Sequence, residues 1–178
     1  MGRGMADAHP NAHPNAARAM SRCLQIALPI GALDLVSKEL ATQWRVESLV
    51  FNTAARVPVS AGAGVPAWAG DAVIAVCTLA LALRVVRALA AIDPKAIVAL
   101  GLIAGGTLGN LASLLTGPAG VADFLGLPLT PTYGIVANGA DLALWSGAVL
   151  LLPVARTLVR RLRDHRPVAT PRLAQNPM

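Results

Sequence analysis

Four stretches of the chain stay apolar long enough to cross a bilayer: about Leu24 to Thr42, Trp68 to Leu89, Ala96 to Leu115 and Tyr133 to Ala155. A hydrocarbon layer about 30 Å thick and a helical rise of about 1.5 Å per residue ask for roughly 20 apolar residues per crossing. The pattern therefore predicts an all-α membrane protein with four transmembrane helices. Between the first two spans, Gln43 to Ala67 is polar and turn-rich, with Arg45, Glu47, Asn52, Arg56 and Pro58, and is too long for a tight turn. Its clusters Ser48-Leu49-Val50-Phe51 and Val57-Pro58-Val59 predict short strands, so a small extracytoplasmic, β-containing element is expected there. Met1 to Arg22 repeats His-Pro-Asn-Ala from His9 and again from His13, without apolar periodicity, and reads as an unstructured tail. The expected division is a tail over 1–23, a four-helix membrane domain over 24–155 and a basic tail over 156–178.

Composition removes the main rivals to this class. Of 178 residues, 55% are hydrophobic and 13% charged, against about 25% charged in an ordinary soluble domain. The net charge of +6 does not signal nucleic acid, because only 3% of residues are aromatic and none stand interleaved with a basic cluster. It signals orientation instead. Twelve of the fifteen Lys and Arg residues fall in the two tails, in the last turns of the second span or just after it, leaving only Lys38, Arg45 and Arg56 elsewhere. The positive-inside rule then places both termini in the cytoplasm, and an even number of spans agrees. Cys23 and Cys77 cannot form a disulfide framework, and Cys77 lies in an apolar run, so both read as structural.

Ionisable groups in or beside a span are costly, so each asks for a partner or a task. Asp34, Glu39, Asp71, Asp123 and Asp141 fall near the outer ends of the spans, whereas His9, His13 and His165 lie on the cytoplasmic side. That separation excludes Ser-His-Asp or Cys-His catalysis and a histidine-based zinc site at the outer face. Carboxylate chemistry remains. Asp123 and Asp141 fall at one membrane level, and two carboxyls in close approach do not both ionise, so a water between them meets a base and an acid. Plainer readings stand beside this one. The glycines from Gly101 to Gly109 make a helix-packing face, Asp141 a helix cap, Asp34 and Lys38 a neutralising i,i+4 pair, and Asn52 a turn residue.

Asp34-Leu35-Val36-Ser37-Lys38, Asn52, Gly105-Gly106-Thr107-Leu108-Gly109-Asn110, Val121-Ala122-Asp123-Phe124 and Asn138-Gly139-Ala140-Asp141 occur in the order of the motifs of the lipoprotein signal peptidases, the type II signal peptidases. From about Leu24 to Leu152 the chain resembles that family. The resemblance implies an intramembrane aspartic endopeptidase of the bacterial inner membrane. It would cut prolipoproteins immediately before a diacylglyceryl-modified cysteine, as a monomer among membrane lipids, with no cofactor or metal. Asp123 and Asp141 match the catalytic pair; Asn110 and Asn138 match residues that shape the site; Asp34, Lys38 and Asn52 match the outer-face polar positions. The family continues Asn-x-x-Asp-Arg after the glycine motif, whereas this chain has Ser113 and Leu114 in place of the acid and the arginine. Two other functions fit the same residues: a homologue that binds lipopeptide or lipid without cutting it, and a small transporter using Asp34 and Lys38 as an ion relay.

Overall fold

The computed structural model describes residues 12–52, 68–116, 120–130 and 133–164. Four helices carry the chain: α1 (Ala12–Gln43), α2 (Trp68–Ile92), α3 (Lys95–Thr116) and α4 (Gly139–Asp164). Strand β1 (Val50–Asn52) follows α1, and β2 (Val121–Asp123), β3 (Leu125–Thr130) and β4 (Tyr133–Ala137) lie between α3 and α4. Each helix is long and apolar enough to cross a membrane, as the hydropathy pattern predicts.

The local sequence explains how the helices turn and stop. Between α2 and α3 the Asp93 carboxylate accepts the Lys95 amide at 2.9 Å, with Pro94 between them. This is an N-cap followed by a proline whose missing N–H costs nothing at that position. At the end of α1, Val46 N–H bonds the Ala41 carbonyl and Arg45 N–H bonds that of Thr42, the paired closure of a Schellman motif. Arg45 stands there at φ 50°, a conformation usually left to glycine. At one end of the bundle Arg161 of α4 donates to the Ile92 carbonyl at the end of α2. At the other, the Ala140 amide at the start of α4 bonds Asp34, late in α1. Successive helices therefore run in opposite directions.

Lipid gives apolar helices no hydrophobic reason to associate, so close packing of small residues must supply it. Helix α3 does this from the centre. A Cβ built on Gly105 would lie 2.7 Å from Ile30 of α1, and one on Gly106 would collide with the Ala140 carbonyl of α4. Around these contacts Cys23, Ala27, Ala82, Val86, Ala96, Leu100, Ala104 and Val154 form the core. The glycine run is thus a packing face, whatever else it does.

Three features differ from the sequence expectation. Tyr133–Ala137, read as the start of the fourth span, is strand β4, paired antiparallel with β3 from Leu125↔Ala137 to Thr130↔Tyr133; an apolar run that short fits a strand as well as a helix. The strand expected around Ser48–Phe51 exists as β1, but its partner is β2, far along the chain, with Val50 opposite Asp123. Helix α1 begins at Ala12, so the tail read as unstructured is helical from there. Pro14 falls in its first turn, where no N–H is needed, and the alanines that follow favour helix. Likewise α4 runs through the basic stretch to Asp164, where Arg161 and Arg163 suit a helix C-terminus. The Val57–Val59 strand and all three histidines lie outside the residues described above, His13 in respect of its side chain.

Candidate functional site

The ends of α1 and α3, the starts of α2 and α4, and the edge strand β2 meet at one end of the bundle. Between them lies a cavity of about 280 Å³ lined by Asp71, Ile74, Ala75 and Thr78 of α2, Thr107, Asn110, Leu111 and Leu114 of α3, Val121 and Asp123, and Asn138, Asp141 and Leu144. Both candidate carboxylates therefore face one cleft.

The start of α4 fixes one of them. Asn138 is the N-cap and Asp141 the third helical residue. The Asn138 side-chain oxygen accepts the Asp141 amide at 3.0 Å, and Asp141 Oδ2 accepts the Asn138 amide at 3.1 Å. This is a capping box with Asn and Asp in its two places. Asp141 is thus a helix cap, and its second oxygen, Oδ1, accepts from Asn110 Nδ2 at 3.0 Å. The fully buried Asn138 also donates its side-chain amide to Asp123 Oδ1. One asparagine thereby holds both carboxylates, Asp141 through its backbone and Asp123 through its side chain. The β1–β2 pairing holds the Asp123 backbone, and only 7% of the residue is exposed.

Behind this pair stands a buried ionic group. Asp34 and Lys38, one helical turn apart on α1 and 3% and 4% exposed, are joined at 2.6 Å. Lys38 Nζ also donates to Asn110 Oδ1 at 2.6 Å, and Asp34 Oδ1 takes the Ala140 amide at 2.8 Å. A charge inside a membrane protein needs such partners, and here they serve the site. Lys38 fixes the orientation of the Asn110 amide, and Asp34 ties the start of α4, with its positive dipole end, to α1. Gly109 makes room for this, since a Cβ there would stand 2.6 Å from Asp34 Oδ2.

Six of the seven residues singled out from sequence, Asp34, Lys38, Asn110, Asp123, Asn138 and Asp141, form one hydrogen-bonded chain. The seventh, Asn52, ends β1 opposite Val121. Three cleft residues escaped the sequence reading of the site: Asp71, Thr78 and Thr107. Asp71 carried a weak signal as an acid in the first turn of α2; a threonine within an apolar run carries none. Leu114, at the place of the family's arginine, lines the cleft, and Ser113 beside it is buried.

Comparison with known proteins bears on the fold and the family. No curated protein sequence matches significantly. A solved structure described as a bacterial membrane enzyme, determined by the in meso method, superposes with a TM-score of 0.60 at 17% identity, covering 83% of this chain and 93% of its own. At that identity the likeness speaks for the fold. The family model of signal peptidase (SPase) II matches residues 26–156, which hold all of α2 and α3, most of α1 and α4, and every residue of the hydrogen-bonded chain. By that match the chain belongs to the signal peptidase II family.

Proposed function

We propose that the protein is an aspartic endopeptidase that removes signal peptides from diacylglyceryl-modified prolipoproteins, with Asp123 and Asp141 as the catalytic pair. The observation that carries this reading is the double grip of Asn138 on the two carboxylates in a cleft at the end of the membrane helices. One carboxylate, as general base, takes a proton from a water as its oxygen attacks the scissile carbonyl carbon. The other, protonated, gives its proton to the carbonyl oxygen. Collapse of the resulting diol reforms the carbonyl, breaks the C–N bond and sends a proton to the departing cysteine nitrogen. No step uses a metal or cofactor. Asn110 and Asn138 position the pair, and Asp34 and Lys38 position Asn110 and α4. In this reading both termini face the cytoplasm of a bacterial inner membrane and the cleft faces outward.

Asp123→Asn and Asp141→Asn each abolish cleavage of a diacylglyceryl prolipoprotein while the protein still inserts, since an amide neither accepts nor releases the proton on demand. Substantial cleavage by either variant removes that residue from the mechanism. A reporter fused after Arg163 reads cytoplasmic and one inserted near Gly62 extracytoplasmic; the same side for both breaks the topology. A second reading has one observation in its favour. Leu114 lines the cleft where the family carries arginine, which suits a homologue that binds lipopeptide without cutting it. Binding of globomycin, the family's cyclic-peptide inhibitor, with no detectable cleavage would favour that homologue.

A further inference from the structure

The helical threonines among the described residues divide into two sets. Thr42, Thr116 and Thr157 each donate to the carbonyl four residues back, those of Lys38, Ala112 and Pro153, at 2.8, 2.8 and 3.0 Å. This is how a helical hydroxyl satisfies itself. Thr78 and Thr107 make no hydrogen bond within the described residues. These two, and no other described threonine, line the cleft that holds Asp123 and Asp141.

Thr107 is the more telling of the two. The residue is 5% exposed, and its hydroxyl is the single buried side-chain polar atom without a partner among the described residues. Such a group has lost water and gained nothing in return, and native structures seldom leave one so without a reason. The carbonyl of Ile103 lies one turn back, where the other threonines find their partner. Thr78 stands on the facing helix, α2, on the same side as Asp71, Ile74 and Ala75. The cleft thus carries an uncommitted hydroxyl on each of two walls.

We propose that Thr78 and Thr107 are the cleft's grip on the substrate main chain, bonding C=O and N–H groups of the peptide units on either side of the scissile one. The proposal rests on the reading of the cleft as a peptidase site. What lies beside these hydroxyls is then the chain being cut. A hydroxyl both donates and accepts, so it serves either group of an extended peptide, which has no internal partner for them. Neutral partners also suit a neutral backbone where Leu114 supplies no charged contact. Thr78 and Thr107 bind the substrate; the proton transfers stay with the carboxylates.

The test uses the full-length protein in phospholipid nanodiscs. The binding probe is a diacylglyceryl-modified peptide whose scissile amide is reduced to CH₂–NH; the cleavable parent peptide gives the kinetics. Thr107→Val and Thr78→Val, which keep the shape and remove the hydroxyl, each weaken probe binding about 3- to 10-fold, the range of one neutral hydrogen bond. The loss falls on KM and not on kcat. Thr107→Ser restores binding to within about twofold, and Thr157→Val, which removes a back-bonded hydroxyl away from the cleft, leaves it unchanged. If Thr107 merely held a water or nothing, Thr107→Val would bind the probe as tightly as wild type; that result overturns the proposal. Should Thr107→Val not fold, Thr78→Val on the open helix decides in the same way. Wild-type protein that binds the probe but does not cut the parent peptide refutes the peptidase reading and leaves the hydroxyl grip intact. Wild-type protein that does not bind the probe refutes both.

Discussion

Across the cleft, the α3–α4 wall and the α2 wall are built on opposite terms. On the first, Asn110, Asn138 and Asp141 bond one another, and the chain continues through Lys38 to Asp34. On the second, Asp71 and Thr78 bond nothing among the described residues. Burial sets α3 apart from both neighbours: 56% of its span is buried within the protein, against 17% of the α4 span and 11% of the α2 span. The contrast teaches where preorganisation has been concentrated. On the proposed mechanism, the groups that hold a proton in place are fixed before any ligand arrives, while the facing helix is free to meet it.

Breaking the fixed wall has the largest expected effect. Asp123→Asn or Asp141→Asn lowers kcat by about a thousandfold or more, and the double variant is hardly worse than either, because residues acting as a unit are not additive. Multiplied losses in the double variant would mean that the two carboxylates work independently. Next comes the ionic group behind them. Lys38→Met leaves the buried Asp34 carboxylate without its counter-charge and costs about 3 to 5 kcal/mol of stability, read as a lower unfolding temperature in detergent. Adding Asp34→Asn recovers most of that loss. If Lys38→Met is neutral, the pair is solvated in the membrane protein and does not brace α4.

Smaller effects sharpen the contrast. Ser113→Asp with Leu114→Arg returns a charge-assisted contact to the cleft, on the order of 1.5 to 3 kcal/mol, and raises kcat/KM by about 10- to 150-fold. No gain would mean that the contact is supplied elsewhere, with Arg45 and Arg56 the first to examine. The smallest change is expected from Asp71→Asn. No structural bond is lost, so stability is unchanged and cleavage shifts by less than about fivefold, a partly exposed carboxylate being well screened. A collapse of activity there would make α2 part of the fixed machinery.

The helices and the fixed wall were legible in the sequence because both rest on patterns that survive without a partner: apolar length, and polar residues too costly to strand in lipid. Asp34, Lys38, Asp123 and Asp141 stand out for that reason, Asn110 and Asn138 through the resemblance to the family's motifs, and the structure joins all six. The sequence also left two readings of Asp141 open, as a cap or as half of a pair. It is a cap, and the oxygen not used in capping reaches Asn110. Illegible were features that depend on what lies opposite. Tyr133–Ala137 is apolar whether it enters a bilayer or pairs with Leu125–Thr130, and only the pairing tells. Thr78 and Thr107 look like filler in apolar runs until their missing back-bonds are seen.

The hairpin of β3 and β4 is a spacer as well as a cover. Its closing pair, Leu125↔Ala137, stands between Asp123 on one side and Asn138 on the other, and Phe124 N–H bonds the Ala137 carbonyl beside it. The gap between the two carboxylates is therefore set by the base of a hairpin, while the irregular register between Pro128 and Thr130 lies toward its tip. Mechanically, this is a caliper whose jaws are indifferent to the length of its handle. Relatives could lengthen, shorten or decorate the tip to suit different lipoprotein clients, whereas one residue added at the base would turn the jaws out of line.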